Sequence, residues 1–240
     1  MLEPAILLKG PFRIADFTVE VIEQPWQTHP EYEQAVAVEW ESRSRRAAEA
    51  GDHLWDGVSY RVANSDAWSM PPRLQLGTIA YRYVATFRRL QDLHRTHGLE
   101  PTYHLSICAL IRTTDDFYLF GRRRVRRNVD LIGGGVQPDE MAVATGADLE
   151  RCLFKELREE TGIRASAVTE LTGLGVVLSG SSNILIVGHL KLSLDLAEAQ
   201  AAFVHREEDE MGELEIVPAD GIRAYLSAMT DYRVLVADLL

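Results

Sequence analysis

Cysteine is scarce in this chain: only Cys108 and Cys152 are present, both in apolar surroundings. Two such thiols do not make a disulfide framework and are expected to be buried and reduced. Long apolar runs are missing too, none approaching the roughly 20 residues that cross a bilayer. The opening MLEPAILLKGPF carries Glu3 and only four consecutive apolar residues before Lys9. Neither the basic nor the apolar part of a secretory leader is therefore expected there, and these absences together point to the cytoplasm. Positive charge is in deficit: 25 Lys and Arg stand against 36 Asp and Glu, a formal net charge of -11. Such an excess repels polyphosphates and anionic lipid, so neither a nucleic acid polymer nor a membrane surface is expected as a partner. Internal repeats and low-complexity segments are absent. What is present, 46% hydrophobic and 25% charged residues, is the composition of an ordinary globular protein.

The 240 residues allow one large domain or two small ones, each able to bury a core. Extended stretches at 4–9 and 16–22 precede a helical periodicity near 31–50, where Val36, Trp40 and Ala47 recur before Gly51 closes it. Strands are expected at 58–62 and 74–76, and a helix at about 80–97, stopped by Gly98 and Pro101. That stop is taken as the boundary between an N-terminal α/β extension, residues 1–100, and a second domain, residues 101–240. Beyond it strands are expected at 104–111, 117–120, 173–178, 184–192 and 214–217, with helices at about 148–161 and 219–229. Strands on both sides of a central helix argue for a mixed α/β layer structure.

The chemistry concentrates in DLERCLFKELREETGI, residues 148–163. Asp148 is the expected N-cap and Gly162 the expected stop. At about 100° per position, Leu149, Leu153 and Leu157 form an apolar stripe bordered by Cys152. Glu156 and Glu160 fall within that stripe and Glu159 at its edge. Glutamates on helices are usually solvated and paired at i,i+4, as Lys155 with Glu159 would be. Two within a buried stripe call for a cation, because burying an unpaired carboxylate costs several kcal/mol. Three carboxylates at i, i+3 and i+4 form a hard oxygen cluster of the kind that holds Mg2+, with Mn2+ an alternative.

With the glycines before it, this segment resembles the signature of the Nudix hydrolases, G-x5-E-x7-R-E-U-x-E-E-x-G-U, where U is bulky and apolar. Lys155-Glu156-Leu157-Arg158-Glu159-Glu160-Thr161-Gly162-Ile163 fills its second half, with lysine for arginine. Gly134, within Gly133-Gly134-Gly135, stands at its first glycine. The resemblance implies a Nudix fold, a mixed β-sheet sandwiched between helices. It also implies that Glu156, Glu159 and Glu160, with a backbone carbonyl at Gly134, hold the metal, and that a nucleoside diphosphate linked to X is cleaved. The spacing departs from the signature: 14 residues, not seven, separate Glu140 from Lys155. Two alignments follow, one keeping Glu140 with an insertion after it, the other placing Ala147 at that acidic position. The second is favoured, because Gly146-Ala147-Asp148-Leu149-Glu150 resembles the family's helix start.

Supporting residues are sought around the helix. Arg122, Arg123, Arg124, Arg126 and Arg127 form the one dense basic run; Arg123, Arg124 and Arg126 are the candidates for binding phosphate. The acidic stretch 207–210 and Glu213 precede the last strand, and the resemblance implies a base or further ligand there, Glu213 or Glu210. His94 and His97 have helical spacing without an evident third ligand, so a surface helix is expected rather than a zinc site. In the extension, the segments around Trp40, Trp55 and Tyr81 resemble the UDP-glucose/UDP-galactose diphosphatase group of Nudix enzymes. The expected activity is thus hydrolysis of a UDP-sugar such as UDP-glucose to UMP and a sugar 1-phosphate, with Glu156, Lys155 and Glu213 as catalytic residues. The alternatives are another substrate such as ADP-ribose, or a degenerate module that binds nucleotide without turnover.

Overall fold

The computed structural model describes residues 2–51, 53–63, 68–124 and 128–240. In chain order its elements are β1 (Ala5–Phe12), β2 (Thr18–Val21), α1 (Pro30–Glu49), β3 (Val58–Val62), β4 (Arg73–Ala80), α2 (Tyr81–Phe87) and α3 (Gln91–Thr96). There follow β5 (His104–Arg112), β6 (Phe117–Arg123), β7 (Val129–Asp130), β8 (Ile132–Gly135), α4 (Gly146–Thr161), β9 (Val168–Leu178) and β10 (Asn183–Leu192). The chain ends through α5 (Leu196–Phe203), β11 (Met211–Pro218), α6 (Ile222–Ser227) and α7 (Tyr232–Ala237).

Among the described residues, 11 strands share one mixed sheet. β5 and β10 run parallel, from His104 beside Asn183 to Arg112 beside Lys191. β9 continues beyond β10, and β1 beyond β9, both antiparallel. On its other edge β5 meets β3 at His104, β8 from Ser106 to Ala109, and β6 at Ile111 and Arg112. The first hundred residues thus add strands on both sides of β5.

The alternate side chains of β5 enter two cores. Leu105, Ile107, Ala109 and Ile111 pack with Leu149, Leu153 and Leu157 of α4. Cys108 and Leu110 pack with Ile222 and Leu226 of α6 and Val236 of α7. A strand buried on both faces must be apolar almost throughout, which explains the unbroken runs of β5 and β10. Helices on both faces make this the sandwiched mixed sheet that the resemblance implied. A third cluster, including Trp26, Tyr32, Val36 and Ile79, joins α1 to β4. Both cysteines are buried and free, as expected. No described helix is long and apolar enough to cross a membrane.

The expected helix at 80–97 is instead two short ones, α2 and α3. In a continuous helix Phe87 and His94 would stand about 10 Å apart along the axis. The break brings their rings to 4.9 Å and seats His94 between Trp26 and Tyr32, with Nε2 2.9 Å from the Glu100 carbonyl. His94 is therefore a buried core residue and not part of a surface helix. α5 was not expected, although Asp195 and Glu198 cap its start reciprocally, a pattern visible in sequence. α7 braces the strand before the glycines: the Tyr232 hydroxyl donates to Asp130 at 2.5 Å, and Arg233 donates to the Val129 carbonyl at 2.7 Å.

Candidate metal and phosphate site

α4 begins earlier than its sequence suggested. Thr145 is the N-cap, and Asp148 sits a turn inside, accepting from the backbone N–H groups of Ala144 and Thr145 at 2.9 and 2.8 Å. Gly162 closes the helix at φ 73°, a conformation glycine adopts without strain. Between these ends the apolar stripe falls as expected, with Leu149, Cys152, Leu153 and Leu157 buried and Glu160 buried among them at 1% exposure. Glu156 and Glu159 are half-buried.

The glycine triplet is a strand, not a loop: β8 pairs with β5, with Gly133 opposite Cys108 and Gly134 opposite Ile107. Gly133 has φ 143°, and a Cβ there would lie 2.2 Å from the Ile107 carbonyl oxygen. Only glycine permits that approach. The Gly133 N–H donates to Glu160 at 2.9 Å. A Cβ on Gly134 would lie 2.6 Å from a Glu156 carboxylate oxygen, so the missing side chain makes the space that Glu156 occupies.

Burial raises the Glu160 pKa to about 8, against the opposing Gly133 bond; the charge of Glu156 raises it further and that of Arg123 lowers it. Burial likewise raises Glu156 to about 7; Lys155 opposes this, and Glu159, Glu140 and Glu208 add to it. Lys155 bridges two carboxylates, at 2.8 Å from Glu140 and 2.7 Å from Glu159. Burial works against its charge, but these bonds outweigh it and hold the ammonium above its usual range. The oxygens of Glu156, Glu159 and Glu160 do not all approach within 4.8 Å. Lys155 draws Glu159 outward while Gly133 holds Glu160 inward. The donor set, carboxylates beside a glycine strand with room for one of them, fits a hard divalent cation.

The Lys155–Glu140 bond supports the other alignment, the one that keeps Glu140, over the favoured one with Ala147 at the acidic position. The extra residues then lie in the connection from β8 to α4. That length reaches the N-terminal segment, where Thr145 bridges Thr18 and the Gly146 N–H donates to the Phe17 carbonyl.

The arginines of β6 line a cleft of about 450 Å³ with Arg206 and Glu213. Arg122 pairs with Glu215 at 2.5 Å and Glu213 at 3.7 Å, Arg123 with Glu210 and Asp130, and Arg124 with Asp209. Arg126 and Arg127 lie outside the described residues. Glu213 is 70% exposed and lines the cleft beside Arg122. The Glu208 backbone N–H donates to the Glu159 carbonyl at 3.0 Å, and burial followed by the charge of Glu159 raises its pKa. Arg206 was not anticipated. It stacks on Phe203 at 4.4 Å, pairs with Asp209 at 2.8 Å, and its Nε is buried without a hydrogen-bond partner.

Residues 102–239, more than half of the chain, match a family model described as NUDIX domain. Among solved structures, the chain is similar to the MutT protein of Methanosarcina mazei Go1, at 23% identity and TM-score 0.39 over 59% of this chain and 93% of that one. It is similar to a NUDIX hydrolase from Nitrosomonas europaea at 17% identity and TM-score 0.39, covering 58% and 86% of the two chains. The NUDIX domain of Shewanella oneidensis NrtR, solved in complex with ADP ribose, is similar at 12% identity and TM-score 0.41, covering 62% and 95%. No curated protein sequence matches.

Proposed function

The chain belongs to the Nudix family, and from that premise we propose that this hydrolase of nucleoside diphosphates linked to X cleaves a nucleotide sugar. The substrate class is a UDP-sugar such as UDP-glucose, and the products are UMP and a sugar 1-phosphate. The observation that carries the reading is the buried Glu160 and half-buried Glu156, packed against the glycine strand, with their pKa values raised into the neutral range. A bound divalent cation, Mg2+ or Mn2+, supplies neutralisation of the phosphate oxygens and activation of water.

The chain's own residues do the rest. Glu156, Glu159 and Glu160, with a backbone carbonyl at Gly134, would hold the cation. Lys155 fixes Glu159 against Glu140. Arg123, Arg124 and Arg126 are the proposed phosphate contacts, and Arg206 lines the cleft with Arg123 and Arg124. The base that takes the proton of the attacking water comes from the acidic segment, Glu208 or Glu213. Water oxygen bonds to phosphorus, the bridging P–O bond breaks, and the leaving phosphate departs on the opposite side.

The sugar-nucleotide choice is supported by the extension. Trp40 and Trp55 both meet Tyr81, at 6.5 and 5.4 Å between rings, and Tyr81 stands 6.0 Å from His104, whose ring abuts Gly135. Three separate segments thereby converge beside the end of the glycine strand. The division into residues 1–100 and 101–240 belongs to the same proposal, supported by a family match that starts at 102. The two free thiols support the cytoplasm as its compartment.

The test is a hydrolysis panel of UDP-glucose, ADP-ribose and ADP-glucose, with and without Mg2+, beside Glu160→Gln. Metal-dependent release of UMP, absent in the variant, is expected. Absence of metal-dependent product from every substrate would overturn the hydrolase reading, and faster turnover of ADP-ribose the sugar assignment.

A further inference from the structure

A second set of metal-binding side chains lies on the N-terminal elements. His29, Glu31 and His97 each place one donor atom so that all three lie within 4.8 Å of one another. His29 is the N-cap of α1, Glu31 lies in its first turn, and His97 follows α3. His97 is distant in sequence from His29 and Glu31, and the fold joins the start of one helix to the end of the other. The two imidazoles stack at 3.8 Å with 13° between their planes. His97 Nε2 lies 3.2 Å from the Glu31 carboxylate. That nitrogen is shielded from water, yet its geometry toward Glu31 forms no hydrogen bond.

Two imidazoles and a carboxylate form the donor set of a borderline divalent cation such as Zn2+, and a poor one for Mg2+, which requires oxygen ligands. We propose that His29, Glu31 and His97 form a Zn2+ site, distinct from the α4 carboxylates, with the remaining coordination position open to water. The lone pair of an imidazole nitrogen lies in the ring plane, so stacked rings do not aim at one ion. Ligation therefore turns His29 out of the stack. His29 is exposed, and among the described residues the one further tie of its side chain is acceptance of the Glu31 N–H at 3.3 Å, at the long end of hydrogen bonds. Zinc would clamp the start of α1 to the end of α3 and stabilise the cluster around Trp26 and Tyr32 that lies between them.

The test uses the full chain in excess Mg2+, which occupies oxygen sites without competing for imidazoles. Zn2+ is titrated by calorimetry and Co2+ by visible absorption, on the wild type, His29→Ser, His97→Gln and Glu160→Gln. Serine still caps α1, so His29→Ser removes a ligand while keeping the helix start. The expected result is one Zn2+ per chain in the wild type and in Glu160→Gln, and binding weakened about 10–100-fold in both histidine variants. The metal-free melting temperature of His29→Ser should match that of the wild type, and Zn2+ should raise it only in chains with both histidines. No zinc binding to the wild type beyond what Mg2+ displaces would overturn the site. So would wild-type affinity in both histidine variants, or loss of binding in Glu160→Gln alone.

Discussion

The Lys155 ammonium donates to Glu140 at 2.8 Å across 15 positions of chain. This bond joins the loop after the glycine strand to the middle of α4, and the same nitrogen holds Glu159. Removing it should release both carboxylates. Lys155→Ala is expected to lower kcat/KM by about 10–100-fold, as loss of a group that orients metal ligands commonly does. Lys155→Arg should retain most activity, because guanidinium can hold both partners in its fixed fork. Steady-state kinetics of Lys155→Ala, Glu140→Gln and the double variant measure the coupling, and strictly additive losses would disprove the bridge.

Glu160 makes the metal-free protein sensitive to alkali. Its carboxyl titrates at 4.5 when unfolded and at about 8 when folded. Between those values the folded form keeps a proton that the unfolded form has lost. Stability is therefore greatest below about pH 4.5 on this account and declines as pH rises through 8. Glu156, raised to about 7, adds to the decline over a narrower span. Melting temperatures in chelator should fall from pH 5 to pH 8.5, and Glu160→Gln should flatten that slope. Equal slopes in both proteins would remove Glu160 as the cause.

The two neighbouring glycines should fail in different ways. Gly133→Ala places a methyl 2.2 Å from a backbone oxygen at φ 143°. Backbone cannot withdraw, so a loss of about 3 kcal/mol or more is expected in denaturant unfolding. Gly134→Ala meets the far end of the Glu156 side chain instead. That variant should unfold near the wild-type midpoint while losing about tenfold or more in kcat. Comparable destabilisation by both would show that Glu156 cannot yield.

Glu208 and Glu213 are separable as bases. Glu208 lies beside the α4 carboxylates with a raised pKa, whereas Glu213 is 70% exposed and tied to Arg122. Glu208→Gln is expected to lower kcat by about 100-fold and to abolish the acidic limb of the pH–rate profile. Glu213→Gln should cost less than about tenfold. A reversed order of effects would move the base to the cleft rim.

Much of this was visible in the residues. Apolar runs located β5 and β10, and the leucine spacing located the buried face of α4, with Glu160 inside it. The start of α4 was misplaced because Asp148 caps from within the helix, where it serves Thr145. The division of the 80–97 helix was hidden for another reason: Arg88 and Leu90 are compatible with a continuous helix, and the break goes with a long-range contact, the packing of His94 against Trp26 and Tyr32. Glu208 was signalled only as one member of the acidic stretch 207–210, and Arg206 carries no local signal. They acquire meaning from β11 and α5, which bring their loop to α4.

The Tyr232–Asp130 bond bears on the order in which the protein is made. A chain emerging from the ribosome presents its earlier segments first. β8 and α4 exist before α7, so the glycines and glutamates are assembled while Asp130, immediately upstream, still lacks its partner. The final brace arrives from the last described helix. Until then a nascent chain holds the chemical groups of the site while Asp130 lacks the Tyr232 hydroxyl.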